Sequence, residues 1–115
     1  YAKEVPAQDG PDPAGYSVTG SLDKQLIRNV IRDHINEIKR CYQVELDKNE
    51  NLEGRVHVNF IIGKDGKVTQ STLEQTTLGS PSAEKCIVNA VRSWQFPMPK
   101  GDPVVVTYPF ILKHT

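Results

Sequence analysis

The stretch Gly54–Lys67 reads GRVHVNFIIGKDGK, and the rest of the chain is organised around it. Val56, Val58, Phe60 and Ile62 alternate with Arg55, His57, Asn59 and Ile61, a period of two that gives a β-strand one apolar and one mostly polar face. Lys64, Asp65 and Gly66 then supply a tight reversal, with Gly66 free to take positive φ, and Val68 resumes a second strand. A two-stranded hairpin is marginal in water, so the elements on either side must cover its apolar face.

Upstream, Ser21 is expected to cap one helix running to about Leu46, with Asp23 in the first turn where its charge suits the helix dipole. Leu22, Leu26, Ile27, Val30, Ile31, Ile35, Ile38, Cys41, Tyr42 and Leu46 recur at three- and four-residue steps and form its buried stripe. The turn-rich run Asp47–Gly54, DKNENLEG, delivers the chain to the first strand. Residues 1–20, YAKEVPAQDGPDPAGYSVTG, hold Pro6, Pro11, Pro13, Gly10, Gly15 and Gly20 and few apolar residues. Such a composition buries too little surface to offset its ordering entropy, so residues 1–20 read as a flexible linker and residues 21–115 as the domain.

Downstream, the second strand runs from Lys67 to about Thr77, and Val68 and Leu73 fall on opposite parities, which predicts a bulge between them. Ser80 and Pro81 suit the N-cap and first position of a second helix, whose stripe is Ala83, Cys86, Ile87, Ala90, Val91 and Trp94. That helix stops at Pro97 and Pro99 in WQFPMPKGDP, where Trp94 is expected to close the stripe and Phe96 to plug the end of the core. Val104–Lys113, VVVTYPFILK, is a third strand, and Pro109 within it points to the sheet edge, because proline lacks the ladder donor. The expected fold is α+β: a three-stranded antiparallel sheet with two helices packed on one face, in the order α-β-β-α-β.

At 115 residues the chain supports one domain with one modest core. Lysine plus arginine and aspartate plus glutamate balance at 14 each, so no overall field draws the chain to nucleic acid or to an anionic membrane. No apolar run approaches the roughly 20 residues that span a bilayer. The chain begins at Tyr1 without methionine, as an excised or processed piece would, which leaves room upstream for a membrane anchor.

Cys41 and Cys86 lie on the apolar stripes of two helices expected on the same sheet face, so their sulfurs can meet. A structural disulfide is favoured over two buried thiols, and closing that loop would stabilise by roughly 4 kcal/mol in the chain-entropy model. His34, Glu37 and Cys41 fall on adjoining helix faces, but they and the scattered His57 and His114 lack the paired spacing of a structural zinc site, and no metal or other cofactor is expected. GKDGK joins two strands and lacks the phosphate-binding pattern ahead of a helix. Asp33, Glu37, Glu45 and Glu74 have no context that pairs them as acid and base, and no serine sits in a nucleophile elbow, so the chain does not read as an enzyme. The last strand is the serious candidate: Val104–Tyr108 presents an uninterrupted ladder long enough to accept a peptide strand, although Pro109 also reads as a device that blunts an edge.

The order of elements, with GRVHVNFIIGKDGKV, AVRSWQFPMP and VVVTYPFILK, resembles the C-terminal domain of TonB and TonB-like energy transducers. The opening GSLDKQLIRNVIRDHINEIKRCY, the Cys41 and Cys86 pair and the closing YPF are closer to the AgmX/PglI-type C-terminal domains of gliding-motility proteins. The TonB type usually opens with a shorter helix and lacks the cysteine pair. The resemblance covers Gly20–Lys113 and implies a non-enzymatic periplasmic domain on a flexible arm that reaches the inner membrane. It further implies strand addition of an envelope protein or outer-membrane receptor peptide along Val104, Val105, Val106, Thr107, Tyr108, Pro109 and Phe110. A structural domain that binds peptidoglycan, or a homodimer formed through edge strands, is the competing expectation.

Overall fold

The computed structural model describes residues 13–113; Tyr1–Pro11, Asp12 and His114–Thr115, and with them most of the expected linker, lie outside the described residues. Its elements are β1 (Ser17–Thr19), α1 (Lys24–Asp33), α2 (Ile35–Leu46), β2 (Gly54–Ile62), β3 (Val68–Thr76), α3 (Pro81–Arg92) and β4 (Val104–Leu112). The strands form one antiparallel sheet in the order β1-β4-β2-β3. The α+β class stands, but among the described residues the sheet has four strands and the helices number three, against the expected three and two.

The additional strand comes from residues whose composition placed them in the linker. Ser17, Val18 and Thr19 pair with Thr107, Val106 and Val105. The additional helix arises from a break at His34, whose φ of −106° and ψ of 7° leave the helical region between α1 and α2. The His34 N–H still reaches the Val30 and Ile31 carbonyls, and the Glu37 N–H reaches the His34 carbonyl, so the chain bends without leaving those groups unpaired. Asp23, not Ser21, is the cap: its carboxylate accepts the Gln25 N–H at 2.6 Å. Leu26, expected in the buried stripe, is instead on the exposed side of α1.

The hairpin behaves as its alternation predicts. Val56, Val58, Phe60 and Ile62 are fully buried, and they meet Val104, Val106, Tyr108 and Phe110 of β4 on the face that the helices cover. Two register shifts along β3 leave Thr69 and Glu74 without opposite partners, so the bulge expected between Val68 and Leu73 is joined by a second beyond it. The α3 cap is the expected one, with the Ser80 hydroxyl accepting the Ala83 N–H and Pro81 in the first turn. Trp94 and Phe96 are buried as expected, and the Phe96 N–H donates to the Gly66 carbonyl at 2.9 Å, which docks the segment after α3 against the hairpin turn. Cys41 of α2 and Cys86 of α3 form a disulfide, with Cα atoms 5.7 Å apart.

Candidate protein-interaction edge

The backbone of β2 fixes which way β4 faces. The Arg55 carbonyl accepts the Thr77 N–H, and the Asn59 and Ile61 carbonyls accept the hydroxyls of Thr72 and Thr69, so odd-numbered residues of β2 turn their polar groups toward β3. Even-numbered residues therefore bond β4, where their partners are Val104, Val106, Tyr108 and Phe110. It follows that Val105, Thr107, Pro109 and Ile111 direct their backbone groups to the other side of β4. The nitrogen of Pro109 thus costs the β2 ladder nothing. This corrects the expectation that Pro109 marks an outermost strand: β4 lies between β2 and β1, and the proline sits just beyond the last β1 pair, Ser17 with Thr107.

Among the described residues, β1 covers that outer side only at residues 105–107. Ser17 and Thr19 are exposed and Val18 is half-buried against the core, so the strand is held chiefly from its N-terminal end. Tyr16 is the anchor. It is 6% exposed, its ring meets Tyr108 edge-on at 5.0 Å, and its hydroxyl donates to the Lys24 carbonyl at 2.7 Å. The Lys24 ammonium lies 4.8 Å from the centre of the Tyr16 ring and donates to the Tyr16 carbonyl at 3.3 Å. Gly15 and Gly20 flank the segment with φ of +95° and +130°. A β-carbon at Gly20 would lie 2.8 Å from Cγ2 of Val104, so the chain leaves β1 by a close crossing of β4 that glycine alone accommodates.

The family model of the Gram-negative bacterial TonB protein C-terminal region matches residues 45–113, which takes in β2, β3, α3 and β4. The chain belongs to the TonB C-terminal family. This is a family of non-enzymatic protein-interaction domains that are periplasmic in Gram-negative bacteria and bind other envelope proteins. No curated protein and no solved structure matches the chain. Among the described residues, no helix is long and apolar enough to cross a membrane.

Within this TonB-family domain the residues named from sequence divide by parity. Val104, Val106, Tyr108 and Phe110 are fully buried core residues, whereas Val105 is 37% exposed and Thr107 is half-buried. What Val104–Phe110 can offer a partner is the outward backbone of Val105 and Thr107 and the carbonyl of Pro109, with the Val105 and Thr107 side chains. Pro109 is buried near Gly15, which lies against its ring and that of His57. The sequence reading missed Tyr16 and β1. Their signal was the alternation YSVT between two glycines, which the low apolar content of the surrounding residues outweighed. The match begins at Glu45, so β1, α1 and most of α2 lie outside it.

Two other surfaces carry exposed apolar side chains. A cleft of about 440 Å³ between α2 and α3 is lined by Val44, Cys41, Cys86 and Ala90, with Glu37, Arg40 and Glu45 at its rim. A shallower groove between β3 and α3 is lined by Leu73, Pro81 and Val88, with Glu84, Lys85 and Arg92. Beside the first cleft, Glu37 holds two elements together. One carboxylate oxygen lies 2.5 Å from His34 Nδ1, and the other accepts the Trp94 indole N–H at 3.1 Å, while the His34 and Trp94 rings stack at 5.0 Å. Burial raises the Glu37 pKa, but hydrogen bonds from His34 and Trp94 and the charges of His34 and Arg40 outweigh it, and the carboxyl sits below its ordinary range. His34, Glu37 and Cys41 do not converge as ligands, because Cys41 is bonded to Cys86. Among the described residues, no group of three His, Cys, Asp or Glu side chains could hold a metal ion.

Proposed function

We propose that the domain is the periplasmic interaction module of a TonB-like force transducer of the gliding-motility branch, on an arm that reaches the inner membrane. It engages an envelope partner by strand addition along Val104–Phe110. The carrying observation is the direction of β4: Val105 and Thr107 turn their backbone groups away from β2, and only a three-residue strand meets them. The gliding-motility branch is supported by the sequence resemblance and the Cys41–Cys86 bridge, and an oxidising compartment suits that bridge.

A photo-reactive side chain introduced singly at Val105, Val44 or Leu73 tests this, since those exposed residues mark the three surfaces. Cross-linking in intact cells, with the joined peptide identified by mass, should report an extended envelope segment beside position 105. Adducts from Val44 or Leu73 alone would overturn strand addition and move the partner to a helix groove. The second reading, a homodimer through edge strands, draws support from β3, which is outermost in the sheet. Sedimentation at increasing concentration separates it from the first.

A further inference from the structure

We infer that β1 is a resident stand-in for the partner strand. The partner that replaces it would be an extended segment with a tyrosine at the Tyr16 position and a β-branched residue two places on, at the Val18 position. This rests on the strand-addition reading given above. Because even-numbered residues of β4 are taken up by β2 and Pro109 has no N–H to donate, the complete N–H and C=O pairs that Val104–Phe110 can offer an added antiparallel strand are those of Val105 and Thr107, the residues that Thr19 and Ser17 face. A partner strand and β1 therefore compete for the same backbone groups. They cannot be bound together.

The local build suits exchange. Ser17 and Thr19 are exposed and contribute backbone bonds, and the ordering cost of so short a segment is comparable to what those bonds return. Glycines at positive φ on both sides let the segment leave without dragging α1 with it. Side chains decide the fit, since the bonds themselves are blind to sequence. On the helix-covered face Tyr16 finds the Tyr108 ring at 5.0 Å and, for its hydroxyl, the Lys24 carbonyl at 2.7 Å, while Val18 packs against the core. A partly buried carbonyl set to receive a phenol hydroxyl favours tyrosine over phenylalanine at that position. The docked β1 would also shield the edge from unselective pairing, and it would weaken partner binding by the fraction of time the edge is open.

The test uses the full chain and a fluorescein-labelled peptide AGYSVTG, the sequence of residues 14–20, added in trans. A Ser17→Pro/Thr19→Pro variant removes both β1 donors at exposed positions. Anisotropy should give at least tenfold tighter binding to this variant than to the unsubstituted chain, and amide shifts should change at Val105 and Thr107. A peptide with alanine in place of its tyrosine should bind at least tenfold more weakly. In the unsubstituted chain, saturating peptide should send the Ser17 and Thr19 amides to unstructured shifts, a reading that does not depend on the variant folding. Equal affinity for both chains, or unmoved Ser17 and Thr19 amides, with shifts at Val105 and Thr107 would overturn the stand-in and leave strand addition intact. No shift at Val105 and Thr107 in either chain would overturn both.

Discussion

An alanine at Gly66 would place its β-carbon 2.1 Å from the Phe96 carbonyl oxygen at a φ of +85°, whereas Gly79, at +75°, has nothing within 4 Å. Both residues carry the left-handed penalty, but only Gly66 also holds the segment that follows α3. Gly66→Ala should cost well over 2 kcal/mol, and Gly79→Ala about 1 kcal/mol, in urea unfolding. The Glu37 carboxyl gives a second prediction. Its folded pKa lies below the ordinary 4.5, so it stabilises the fold above that value, and this contribution is lost as pH falls through the folded pKa. Stability should therefore decline below pH 4.5, and Glu37→Gln should flatten that part of the profile, followed through emission of Trp94, the single tryptophan. The effect will be small, because Glu37 is partly exposed and solvent screens it.

At the scale of elements, the cap of α1 separates two readings. Asp23→Ala should lower stability by about 1 kcal/mol, while Ser21→Ala should leave it within about 0.5 kcal/mol, both measured by thermal unfolding. The hairpin and α3 were legible because each signal agrees with its neighbours: alternation leads into Gly66, and Ser80 and Pro81 lead into a helical stripe. The break at His34 was hidden, since Ile27, Ile31, Ile35, Ile38 and Tyr42 keep helical spacing straight across it and all five are buried. β1 was hidden for the opposite reason: its pairing is set by the distant Val105–Thr107, and its neighbours are glycine and proline. Pro109 was read as marking an edge because a sequence gives its missing donor but not the side of the strand on which it is missing.

For the whole molecule, the Cys41–Cys86 bridge ties α2 to α3 across 45 residues, on the one sheet face that both helices cover. Replacing both cysteines with serine should cost about 2–4 kcal/mol in denaturant unfolding, and alkylation of the unreduced, denatured chain should block neither thiol. The candidate site on this framework was legible as a strand, but the outermost place that Pro109 suggested for it is taken by β1. Val104–Phe110 were named as one set, yet the fold divides them by parity into a core-facing half and an outward half.

The central claim is that the outer side of β4 is an openable edge, held for the present by β1. Amide hydrogen exchange of the free chain, read residue by residue, tests it without a partner. The Val105 and Thr107 amides should exchange at least about 100-fold faster than those of Val106 and Tyr108, which bond β2, so that protection alternates along one strand. Uniform protection across these four amides would make β1 a permanent member of the sheet and contradict the account.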